Sequence, residues 1–106
     1  MAFVRAAALA DLAEEALLGV EVGGHRICLA RLHGDEVYAF ADNCTHRDFP
    51  LSAGELDVEE CYVTCDWHGA QFDVRTGQAM CLPATRPVAT FPVQVADGDI
   101  LVDVGG

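Results

Sequence analysis

The chain has 106 residues and a mass of 11.3 kDa, enough for one small domain and too little for a second independent core. Its 52% hydrophobic content excludes a disordered tail, and no apolar run reaches the roughly 18 residues of a membrane span. Six basic residues, all Arg, stand against 17 acidic ones, a formal net charge of −11, which excludes nucleic acid and anionic lipid as partners.

Such acidity keeps a small protein in solution. It also steers a chain toward positively charged protein faces. The apolar stretch 6–18 is broken by Asp11, Glu14 and Glu15, and no basic cluster precedes it, so a signal peptide is not expected and a cytoplasmic location is. Five Cys is a high and odd number for this length. Without a secretory signal it argues against a disulfide framework and for metal or redox chemistry.

Short β-type runs separated by turns dominate the chain. Residues 3–6 read as a first strand. The apolar positions Leu9, Leu12, Ala13, Ala16 and Leu17 suit a short helical turn over 9–17. Residues 19–22, the pair Gly23-Gly24 and residues 26–31 read as strand, tight turn, strand. A turn at Gly34-Asp35 leads to a strand over 36–41. Residues 60–64 alternate like a strand, and residues 70–74 form another, closed by a turn at Arg75-Thr76-Gly77. At the end, residues 90–95, Asp97-Gly98 and residues 100–104 form a hairpin. The stretches 43–52 and 66–83 hold most of the Gly, Pro, Cys and polar residues, and binding residues tend to sit on loops carried by a rigid scaffold.

Two pairs within those stretches carry chemistry: Cys44-Thr45-His46 and Cys65-Asp66-Trp67-His68, with 18 residues between His46 and Cys65. Together they offer two thiolates and two imidazoles, a set that suits zinc or an iron–sulfur centre. Zinc fingers usually pair Cys with Cys and His with His in each local turn. Here each loop pairs Cys with His, so each loop can span two metals, as when two His replace two Cys on one iron of a two-iron cluster.

The motif C-x-H followed by C-x-x-H-G resembles the Rieske [2Fe–2S] signature. Gln71-Phe72-Asp73, Arg75-Thr76-Gly77, Leu82-Pro83, Phe91-Pro92-Val93 and the final hairpin resemble the same family, so the likeness runs over essentially the whole chain. It is strongest to bacterial Rieske ferredoxins of aromatic-ring dioxygenase systems. The resemblance implies an all-β fold: an antiparallel sandwich or barrel base, residues 1–42 and 84–106, with a loop-rich cluster-binding subdomain at about 43–83. It implies one [2Fe–2S] cluster per chain, with Cys44 and Cys65 on one iron and His46 and His68 on the outer one. Cys28, in the run Ile27-Cys28-Leu29, is expected in the core, and Cys61 in the strand before the second ligand loop. Cys81 precedes Leu82-Pro83. His25 and His33 are expected at the surface.

High-potential members of the family carry an extra Cys in each ligand loop and hydroxyl donors to the cluster. The matching positions here are Phe49, Trp67, Ala70 and Phe72. Donors aimed at the sulfurs favour the reduced form, so their absence implies the lower end of the Rieske range, about −150 mV. Asp48 and Asp66 push the same way and Arg47 against them.

No second ligand set, nucleotide-binding glycine pattern or flavin motif is present. The resemblance therefore implies an electron carrier rather than an enzyme. It would be a monomer that docks transiently with a flavoprotein NAD(P)H reductase and a terminal oxygenase. Phe49, Trp67 and Pro83 would shield the centre. The rival readings are a small nitrite reductase subunit of the same fold and a zinc-stapled interaction module.

Overall fold

A computed structural model describes residues 3–34, 36–42, 51–65, 71–81 and 88–104. The described elements are β1 (Val4–Ala8), β2 (Ala16–Val22), β3 (His25–Arg31), β4 (Val37–Ala41), β5 (Glu55–Asp57), β6 (Tyr62–Thr64), β7 (Gln71–Asp73), β8 (Ala79–Cys81), β9 (Thr90–Phe91), β10 (Val93–Ala96) and β11 (Asp99–Val102). Single 3₁₀ turns lie at Leu9–Asp11 and Leu51–Ala53. Among the described residues no helix is long and apolar enough to cross a membrane.

The strands form three antiparallel sheets, in the orders β1-β11-β10, β2-β3-β4-β9 and β5-β6-β7-β8. The second sheet lies between two cores, and the alternation of side chains along β3 and β4 shows why. Cys28, Ala30 and Phe40 pack with Val63, Phe72 and Val74 of the β5–β8 side. Ile27, Leu29 and Ala39 point the other way, to Ala7, Ile100 and Val102. A strand buried on both faces must be apolar at successive positions, which is how Ile27-Cys28-Leu29-Ala30 reads. Each of these larger side chains contributes about 1.5–3 kcal/mol through burial.

Both predicted two-residue hairpins form. Gly23 and Gly24 have φ of 56° and 82°, and Asp97 and Gly98 have 52° and 78°. Positive φ at both central residues is the turn whose twist matches that of the flanking strands. The final run is divided, however: β9 pairs with β4, whereas β10 pairs with β11. Pro92, which has no N–H to offer a ladder, stands between them. The helical turn expected over 9–17 shrinks to Leu9–Asp11, and Ala16 and Leu17 belong to β2. Glu15, at φ 60°, redirects the chain there, and its N–H donates to the Arg31 carbonyl at 2.8 Å.

Arg31 anchors this corner. Its guanidinium donates to the carbonyls of Leu12 (2.7 Å), Gly34 (2.7 Å) and Leu9 (3.3 Å). Its fork reaches three acceptors on two segments, which a Lys point charge cannot reproduce. Arg31→Ala is expected to destabilise the fold by about 2 kcal/mol in urea titration; a change near zero would show that water replaces the side chain at all three carbonyls.

At the far end of the third sheet, Asp73 holds the turn between β7 and β8. Its carboxylate accepts from the Arg75 N–H at 2.8 Å and from the Arg75 guanidinium at 3.2–3.3 Å. Burial works to raise the Asp73 pKa, but the hydrogen bonds and charge of Arg75 outweigh it and hold the carboxyl below its ordinary 3.8. A lowered pKa in the folded state contributes stability above the unfolded value, and that stability is lost as pH falls through the folded one. The stability gap between the wild type and Asp73→Asn is therefore expected to be constant near neutrality and to close below pH 3.8. A gap that persists through acid would contradict the pairing.

Candidate metal centre

The register of the third sheet fixes where the candidate loops begin and end. Glu55 faces Thr64, Thr64 faces Gln71, and Gln71 faces Cys81. These four residues line one end of the sheet, with Asp57, Tyr62 and Asp73 at the other. Thr64, Gln71 and Cys81 thus stand together at the first end. Of the predicted ligands, Cys65 is described, while Cys44, His46 and His68 lie outside the described residues, as do Arg47, Asp48, Phe49, Asp66, Trp67, Ala70 and Pro83.

Residues 43–50 are bounded by a side-chain contact. Asp42 directly follows β4 and is only 5% exposed. Its carboxylate accepts the Ser52 N–H at 2.7 Å and the Ser52 hydroxyl at 2.8 Å. The Asp42 N–H donates to the Arg26 carbonyl at 3.0 Å, which continues the β3–β4 ladder by one step. Leu51 is fully buried beside Phe40 and Val63 and pins the returning chain. Gly54 then passes so close to β6 that a Cβ would collide with the Thr64 carbonyl oxygen. Any side chain at 54 would push this residue away from β6, the kind of overpacking that costs about 1–3 kcal/mol.

Thr64 and Gln71 are paired across β6 and β7, and the Gln71 side-chain amide donates to the Thr64 hydroxyl at 3.5 Å. Cys65 comes one residue after β6, is 1% exposed, and sits in one core cluster with Val63, Leu51 and Phe72. Phe72 is fully buried in that cluster and brings no hydroxyl to it.

The other described cysteines lie elsewhere in the fold. Cys28 is fully buried in β3; burial, and then the negative charge of Asp42, raise its pKa well above the ordinary value, so it stays a neutral thiol. Cys61 lies in the turn before β6 rather than in the strand, at φ 60°, with its thiol 3.6 Å from the Val58 carbonyl. Cys81 ends β8. His25 and His33 are exposed, and the His25 ring lies 6.3 Å from that of Phe91. Among the described residues no three Cys, His, Asp or Glu side chains gather as a metal site. Asp42, Ser52 and Gly54 carry no motif, and their roles emerge only from the fold.

The donor chemistry fits a two-iron cluster. Cys65 presents sulfur from a core with almost no water contact, as suits an inner iron. The sequence supplies a second Cys and two His at positions 44, 46 and 68, outside the described residues. Two thiolates and two imidazoles are the Rieske set.

Comparison with known proteins agrees. The model of the Rieske [2Fe–2S] domain family matches residues 2–92. The ferredoxin component of the naphthalene 1,2-dioxygenase system of Pseudomonas putida is 36% identical over 102 residues, covering 96% of this chain and 95% of that protein. The ferredoxin of carbazole 1,9a-dioxygenase from Nocardioides aromaticivorans IC177 superimposes with a TM-score of 0.91 at 34% identity, covering 96% of this chain and 97% of that one. A chain from the complex of reduced oxygenase and oxidised ferredoxin in carbazole 1,9a-dioxygenase gives a TM-score of 0.84 at 34% identity, with 94% and 91% covered. With the family model matching most of the chain and a relative 36% identical along nearly its whole length, the chain belongs to the Rieske [2Fe–2S] domain family and stands among its ferredoxins.

Proposed function

We propose that this protein carries single electrons from a flavoprotein NAD(P)H reductase to a terminal oxygenase, in a system that hydroxylates aromatic rings. The observation that carries this reading is the full-length likeness to ferredoxin components of two such systems. Those relatives are ferredoxin components, and this chain is likewise an electron-transfer component and not itself an enzyme. The likeness to a chain of an oxygenase–ferredoxin complex supports transient docking on the oxygenase. The reading takes the protein to be cytoplasmic and monomeric, with residues of about 43–83 as the cluster-binding subdomain on a base of residues 1–42 and 84–106.

In this proposal the Cys44 and Cys65 thiolates hold one iron, and the His46 and His68 imidazoles the other. When bound, a Rieske [2Fe–2S] cluster supplies reversible one-electron chemistry. The chain's own residues set its surroundings. Leu51, Val63 and Phe72 exclude water on the Cys65 side, and Phe72 offers no donor there, which favours a low potential. Exposed carboxylates such as Glu21, Glu55, Glu59 and Glu60 have no ion-pair partner among the described residues, so they add to an uncompensated negative surface.

Two outcomes test this reading. Purified protein is expected to contain two irons and two acid-labile sulfides per chain, and Cys44→Ser or Cys65→Ser to lose them and to loosen both loops. One zinc without sulfide would overturn the ligand set. Electron transfer to the oxygenase is expected to slow as salt rises, because the net charge of −11 steers docking and the Debye length is about 10 Å at 0.1 M. A flat salt profile would point to apolar docking through Phe49, Trp67 and Pro83.

A further inference from the structure

We infer that Asp42 is a positioning residue with a second effect: its buried carboxylate latches the first ligand segment to the scaffold and also lowers the reduction potential of the centre. The inference rests on the ligand set proposed above. Its latch is visible. Both carboxylate oxygens are engaged by one residue ten positions later, Ser52, through the backbone N–H at 2.7 Å and the hydroxyl at 2.8 Å. The bridge closes the segment that contains Cys44 and His46. A third element completes the fit from beneath. A Cβ at Gly19 of β2 would come within 2.8 Å of both Asp42 Oδ2 and Ser52 Oγ, so the bare backbone there makes room for the pair.

The charge argument follows from burial. Asp42 is 5% exposed, and among the described residues no Arg or His forms an ion pair with it. Arg26 reaches only its backbone carbonyl, at 3.5 Å. Neutral donors hold the carboxylate, and they leave its net charge in place. The field extends into the core: it helps to raise the pKa of Cys28, which packs in the same cluster as Cys65. Cys44 is two residues from Asp42, so their Cα atoms are at most about 7 Å apart. A fixed negative charge on the residue two before a ligand, partly shielded from water, disfavours the arrival of an electron.

The two effects separate by substitution. Asp42→Asn keeps the shape: the amide oxygen still accepts the Ser52 N–H, and the amide N–H₂ donates to the Ser52 hydroxyl oxygen. The latch remains and the charge goes. Ser52→Ala keeps the charge and removes the hydroxyl donor that partly offsets it, weakening the latch. The expected results have opposite signs. Asp42→Asn retains two irons and two sulfides, and its reduced-to-oxidised ratio at a fixed potential rises on the order of tenfold, equal to 59 mV for one electron. Ser52→Ala shifts the potential downward and gives up iron to a chelator several-fold faster than the wild type. A purely structural role would leave the Asp42→Asn potential unchanged, because the latch remains. An unchanged potential in iron-replete Asp42→Asn would overturn the charge effect, and wild-type iron release in Ser52→Ala would overturn the latch. Should Asp42→Asn fail to hold iron, the downward shift in Ser52→Ala decides, and a rise or no change there would overturn the charge effect. A wild-type protein without iron and sulfide would instead mark the failure of the ligand set itself.

Discussion

The structure depends on the register of one small sheet. Glu55, Thr64, Gln71 and Cys81 share an end. Slipping β6 by one residue would turn Val63 out of the core, and slipping β7 would turn out Phe72. Burial of those two side chains thus fixes the position of Cys65, and Gly54 lies against β6 by close backbone contact.

The scaffold behind this sheet serves the same end. The middle sheet is packed on both faces, so β3 and β4 have little freedom to shift. Asp42 follows β4 directly and inherits that rigidity. Asp42 and the buried Leu51, on either side of residues 43–50, are both anchored. An electron carrier benefits from this, since a centre that barely rearranges between oxidation states exchanges electrons with a small barrier. The acidic surface acts at longer range, where it steers encounters and leaves the fold untouched.

Much of this was legible in the sequence, for identifiable reasons. Gly23-Gly24 and Asp97-Gly98 announce their hairpins because few residues tolerate positive φ at two successive positions. The run from Ile27 to Ala30 announces a strand buried on both sides. The Cys/His pairs announce a metal centre because their spacing is hard to explain otherwise, although the placement of Cys44, His46 and His68 lies outside the described residues. What escaped was set by tertiary contact. Strand β5 holds two acids in three residues, a poor intrinsic strand, and forms because β6 offers it a ladder. Strand β8 has only Ala79, Met80 and Cys81 and forms on β7. The spacing of Leu9 to Leu17 suits a helix, yet Glu15 at positive φ breaks it and gives Ala16 and Leu17 to β2. The Asp42–Ser52 latch joins residues ten apart across a loop, and no local pattern marks it.

A Rieske centre handles one electron at a time. A stopped-flow experiment tests this: the reduced protein is mixed with an excess of oxidised terminal oxygenase, and the electrons transferred are counted. One electron per chain, abolished in Cys65→Ser, is the predicted result. Transfer of two electrons per chain, or transfer that survives the loss of Cys65, would contradict it.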